Sequence, residues 1–173
     1  MTSARSSPLP PIPLFLLVSI FYLNFVARII LAPLLPIIEQ ELGLGHGQAG
    51  SLFFFVAFGY GVGLLGSGVV SSLLTHRLLI TFSGMMEGVT LIMISRSTSI
   101  SGIQGGLVLI GMFAGFYLPS GIVTLTELIS KEHWGKAMAI HELAPNLAFI
   151  TTPLLSEFLL RFFSWRGALT VLI

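Results

Sequence analysis

A charged side chain inside a long apolar run is costly unless it faces a cavity or a partner. The few that occur in this sequence are therefore where its chemistry must be sought. Arg28 lies in the first apolar run, with Asn24 four residues earlier and so on the same helical face. A guanidinium backed by an amide suits a carboxylate or another anionic group on a small solute. An acid on a neighbouring helix, or snorkelling to the interface, would use the same residues structurally. Glu87 stands in the middle of the third run. A carboxyl held out of water can take and release a proton, so it is a proton-coupling candidate; its plainer role is a hydrogen-bonded glutamate packed between helices. His141 and Glu142, early in the fifth run, are proton-coupling candidates too, or else an interfacial pair near the headgroups. Asn146, one turn beyond Glu142, extends their polar face as a substrate-binding candidate, and Pro145 removes a backbone hydrogen bond where a kink can open. Tyr117 is placed either to line a solute path or to make ordinary helix contacts, and Tyr60 likewise. A histidine followed by a glutamate begins a zinc-protease motif, but the second histidine would have to stand at position 145, which is Pro145.

The elements that position these residues follow from composition. Hydrophobic residues make up 54% of the 173, charged residues only 9%, and the mean hydropathy is +0.98. A soluble domain carries about 25% charged residues, so the solvent of this chain is lipid. The net charge of +1 gives no basic excess to attract nucleic acid. The chain has no cysteine, which excludes disulfides, thiolate metal sites and a cysteine nucleophile. No Walker A sequence or other cofactor motif occurs, so no cofactor and no metal are expected, and the chain is read as a non-enzyme.

A bilayer core about 30 Å thick needs about 20 mostly apolar residues per helix. Five stretches qualify, over about 12–38, 47–74, 78–95, 103–129 and 135–160. A sixth begins at Trp165 and runs only to Ile173, about 13 Å of helix, so it is read as truncated. The connections are short and polar. Residues 1–11, rich in proline and serine, read as a disordered tail; the apolar run that follows is too long for the core of a signal peptide. Lysines and arginines of the tail and of the loops after the second and fourth spans are Arg5, Arg77, Lys131 and Lys136, against Arg96, Arg161 and Arg166 on the other side. That excess points to a cytoplasmic N-terminus in a cell membrane.

The first and fourth spans echo each other. Leu31-Ala32-Pro33 and Tyr117-Leu118-Pro119 precede Glu41-Leu42 and Glu127-Leu128 by the same spacing, at an offset of 86 residues. Each is followed by a histidine and a Gly-x-Ala step, at Gly47 and at Gly135. The second span then corresponds to the fifth and the third to the sixth. Three spans per copy is an odd number, so the copies enter the membrane from opposite faces, as an inverted repeat. Gly59, Gly63 and Gly66 of the second span, with Gly111 and Gly115 of the fourth, have spacings that let helices approach closely.

Arg28 through Pro36, the exit Glu41-Leu42-Gly43-Leu44 and Gln48-Ala49-Gly50 resemble the first spans of the major facilitator superfamily. The glycine-rich Gly111–Pro119, Gly135-Lys136-Ala137 and Ser164-Trp165-Arg166-Gly167-Ala168 resemble its fourth, fifth and sixth, in order, so the resemblance covers nearly the whole chain. It implies an all-α multi-pass bundle, the N-terminal half of that fold with a 3+3 inverted repeat, facing a second six-helix half across a solute cavity. That missing C-terminal half is the implied partner. There are departures. Ser72 stands where the family's loop between the second and third helices has an aspartate, which puts a gating charge in doubt. The fifth span has Thr152-Pro153 and Ser156-Glu157 rather than a Gly-Pro motif with paired glycines. The resulting expectation is a transmembrane transporter of a small solute, anionic if Arg28 binds it, working by alternating access as an incomplete chain. A membrane-embedded enzyme and a non-transporting scaffold are the alternatives.

Overall fold

A computed structural model describes residues 11–172, and every regular element among them is a helix. The tail expected over 1–11 lies outside the described residues except for Pro11, which begins the first helix. The first span is α1 (Pro11–Ile29) followed by α2 (Leu31–Leu42). A single helix over 12–38 is expected; the chain instead breaks at Ile30 and continues to Leu42. The break has a local cause, because Pro33 has no N–H for the Ile29 carbonyl and Pro36 none for Ala32. The helix then stops at Gly43, whose φ of 63° suits a residue without a side chain, and the Leu44 N–H returns to the Glu39 carbonyl at 3.0 Å.

Three uninterrupted helices follow: α3 (His46–Leu73), α4 (His76–Arg96) and α5 (Ile100–Leu128). The shortest has 21 residues, about 32 Å of rise and enough to cross a bilayer. The Thr75 and Ser99 hydroxyls cap α4 and α5 by accepting from Leu78 and Gly102 N–H groups. The fifth span is again broken. A 3-10 turn at Lys131–His133 leads into α6 (Trp134–His141), and α7 (Leu143–Leu160) starts after a turn at Glu142. Pro145 supplies no N–H to the His141 carbonyl, which places the break one turn before the proline. α8 (Trp165–Val171) begins the sixth span. Five of these segments are long and apolar enough to cross a membrane.

The most extensive packing joins α3 to α5, followed by α4 to α5 and α1 to α7. The second span thus pairs with the fourth and the first with the fifth, which is what exchanging the two halves of the repeat would produce. The α3–α5 seam depends on its glycines. A Cβ at Gly59 or Gly63 would overlap the backbone of Val108 or Met112, and one at Gly111 or Gly115 the backbone of Val56, Tyr60 or Leu64. Gly66 differs, since its Cβ would meet only the Phe116 ring at 3.5 Å, an ordinary contact. Phe54, Phe58, Val62, Leu65, Val69 and Leu73 form an exposed helical stripe on the outside of α3, a face suited to lipid.

At one end of the bundle Glu41 binds two residues of α8. It accepts from Trp165 Nε1 at 2.6 Å and pairs with Arg166 at 3.1 Å, while Arg166 also donates to the Ser97 carbonyl at 2.9 Å. The repeat maps this glutamate onto Glu127 and the start of α8 onto the start of α4. Glu127, His76 and Arg77 do line one surface recess, but no ion pair joins Glu127 to Arg77 among the described residues. Ser72 donates to the Val69 carbonyl of its own helix at 2.7 Å and makes no link between helices there.

Candidate functional site

The polar residues singled out in the sequence separate into two clusters. In the first, α1 aims Asn24 at α4 and Arg28 at α3. Asn24 Nδ2 donates to Glu87 Oε1 at 2.6 Å, and both side chains are buried. The expected backing of Arg28 by this amide is therefore not what the fold builds, because the amide N–H is spent on Glu87. Arg28 instead lies over two rings, 4.1 Å from the centre of Tyr60 and 4.9 Å from that of Phe25. Such stacking offsets part of the cost of a cation away from water.

No carboxylate lies within ion-pair distance of Arg28 among the described residues. Its Nε is buried without a hydrogen-bond partner, and so are Asn24 Oδ1 and Thr152 Oγ1. Buried polar atoms are nearly always partnered, so the two that belong to the lining of one cavity, on Arg28 and Thr152, mark a place built for something else. Arg28 and Thr152 line a cavity of about 340 Å³ between α1, α2, α3 and α7. Its other walls are apolar, with Phe53 and Phe149 the largest. The volume lies at the lower end of the range for small-molecule sites.

The second cluster joins α5 to α1 and to the break between α6 and α7. Tyr117 is fully buried and its hydroxyl donates to the Leu17 carbonyl at 2.9 Å. The same oxygen lies 3.1 Å from His141 Nε2. Phe21 stacks on both rings, 5.2 Å from Tyr117 and 4.3 Å from His141. His141 Nδ1 faces Glu142 Oε1 at 3.4 Å, and the Glu142 side chain is 52% exposed whereas that of His141 is 0%. Asn146 is exposed and donates to the carbonyl of Glu142, the residue before α7, at 2.7 Å, and it makes no hydrogen bond to Arg28 or Tyr117.

The substrate-binding candidates are accordingly not one group. Arg28 and Asn24 stay with the first cluster, Tyr117 belongs to the second and Asn146 to the surface. The proton-coupling candidates divide in the same way, with Glu87 beside Asn24, and His141 and Glu142 beside Tyr117. Phe25 and Phe149 were not legible as site residues, because any of fourteen phenylalanines could have faced Arg28. Tyr60 carried one signal, a lone phenol on a glycine-rich helix.

The family model described as Major Facilitator Superfamily matches residues 15–173. A "Probable hexose phosphate transport protein" of Chlamydia pneumoniae is 28% identical over 137 residues, which is 79% of this chain and 30% of the relative. The match thus covers less than a third of the length of that relative.

Proposed function

The chain belongs to the Major Facilitator Superfamily, and from that premise we propose that it forms the N-terminal half-bundle of a transporter for a small organic anion. Arg28 is the anion-binding group. The observation that carries this reading is a guanidinium with a buried, unpartnered Nε on the wall of a cavity, with no carboxylate of the described residues within ion-pair distance of it. A planar fork of donors matches a phosphate or carboxylate, and the unpartnered Thr152 hydroxyl on the facing wall supplies a further contact.

Phosphorylated sugars are the solute class this reading favours, supported by the name of the relative and by the cationic site. A second reading, an organic carboxylate with an apolar body, draws on the apolar walls around Arg28. Alternating access would have this bundle rock against a further six-helix half, with the N-terminus in the cytoplasm of a cell. The longer relative is compatible with such a half. Helix seams made of glycine permit the rocking. An enzyme reading draws no support from the site, since no hydrogen bond or ion pair among the described residues joins Glu87 to His141 or Glu142.

Uptake of labelled hexose phosphate and of labelled organic carboxylates into proteoliposomes tests this proposal. Arg28→Gln should weaken apparent affinity by about 10- to 100-fold, the value of one charge-assisted hydrogen bond. Arg28→Lys should recover only part of it, because the charge survives but the fork and the ring stacking do not. Uptake unaffected by both substitutions would remove Arg28 from the site.

A further inference from the structure

The second cluster contains a shortage of hydrogens. Three contacts meet there: Tyr117 Oη with the Leu17 carbonyl, Tyr117 Oη with His141 Nε2, and His141 Nδ1 with Glu142 Oε1. Each contact needs one hydrogen. The Leu17 carbonyl and an ionised Glu142 only accept, so the hydrogens must come from Tyr117 and His141. Tyr117 has one, and a neutral imidazole has one. Two hydrogens cannot serve three contacts.

We infer that the His141–Glu142 pair is a proton-binding site, and that the proton it takes up completes the link from α5 to α1 through Tyr117. With that proton bound, Tyr117 donates to the Leu17 carbonyl, His141 Nε2–H donates to Tyr117, and the extra proton lies between His141 Nδ1 and Glu142. Without it, one contact must be surrendered. The Tyr117 hydroxyl then turns from Leu17 to His141 Nε2, the ring keeps its hydrogen on Nδ1 for Glu142, and α1 loses its hydrogen bond to α5.

The placement suits such a role. His141 is wholly buried while the adjoining Glu142 is half exposed, so a proton passes between water and the interior across two residues. The pair sits where Pro145 already breaks the helix. Glu142, Asn146, Phe149 and Pro153 recur on one face of the fifth span, and the last two line the Arg28 cavity. The proton site therefore shares a face with that cavity, with Phe149 about 10 Å of helix rise from Glu142. Of the packed elements, α5 turns Tyr117 toward His141, and α1 brings Phe21 and the Leu17 carbonyl to the cluster, neither of them titratable. From α4, Glu87, bonded to Asn24, is a second acid whose charge reaches Tyr117.

The site can be tested whether or not Arg28 binds the solute. The measurement is nitrogen-15 NMR of the histidine-labelled protein in lipid nanodiscs, over about pH 5 to 8, with His141 identified by the signal lost in His141→Gln. In the unsubstituted protein both ring nitrogens should carry hydrogen at the acid end, and one proton should leave as the pH rises. Glu142→Gln supplies an amide N–H to Nδ1 in place of the proton, so the ring should stay neutral with its hydrogen on Nε2 throughout. Tyr117→Phe leaves a single contact, which a neutral ring satisfies with its hydrogen on Nδ1. A ring neutral at every pH in the unsubstituted protein, or one tautomer shared by both variants, overturns the inference.

Discussion

At the scale of single residues, the cost of burying polar groups decides which neighbours each one has. Asn24 and Glu87 are both buried, and each removes part of the other's penalty through a bond of 2.6 Å. Glu87→Gln keeps an acceptor for the Asn24 amide, whereas Glu87→Leu leaves that amide without one. The leucine variant should therefore be less stable than the glutamine variant by about 1 kcal/mol. Thermal unfolding of the two variants in the same detergent measures the difference, and equal midpoints would show that the bond contributes nothing. Arg28 follows the opposite logic. Two aromatic faces compensate part of its charge, and under the proposed function a solute anion would complete that environment.

At the scale of elements, helices in lipid gain little from apolar burial and associate through close packing instead. The α3–α5 seam shows this most clearly, because at four glycines the facing backbone occupies the space that a side chain would need. Gly111→Ala should destabilise the protein by about 1–3 kcal/mol, the usual cost of overpacking. Gly61→Ala is the control: no atom lies within 4 Å of a Cβ there, and the substitution should be neutral or stabilising by up to about 1 kcal/mol. Unfolding midpoints that move equally would deny the seam its special role. The broken spans belong to this scale too. Prolines placed to deprive Ile29 and His141 of hydrogen-bond donors divide the first and fifth spans, and both of the polar clusters lie beside these breaks.

At the scale of the whole molecule, odd and even connections fall at opposite ends of the bundle. These 173 residues contain no cysteine, so an introduced thiol is the only one among them. Gly47→Cys and Thr98→Cys should react with a membrane-impermeant thiol reagent from one side, and Thr75→Cys from the other. All three positions are exposed. Labelling of all three from the same side would rule out this topology. The two ends also differ in how they are held. Glu41 ties the start of α8 to the exit of α2, while its repeat counterpart Glu127 only shares a recess with Arg77.

The class of this protein was determined by composition and spacing alone. A chain with 9% charge and runs of about 20 apolar residues has no soluble alternative, because lipid requires every backbone polar group to be satisfied within a helix. The helix breaks were partly legible, since proline acts on a carbonyl only four residues away: the kink near Pro145 was foreseeable, whereas the one at Ile30 was passed over. What spacing could not decide was the pairing of polar side chains between helices. Helical periodicity put Asn24 and Arg28 on one face, but their partners, Glu87 and Tyr60, lie on other helices, 63 and 32 residues away in sequence. Likewise Tyr117, which by sequence could line a solute path or make helix contacts, bonds to the Leu17 carbonyl and lies against His141. Such contacts depend on how far one helix is rotated and slid against the next, and only the packed tertiary structure determines that.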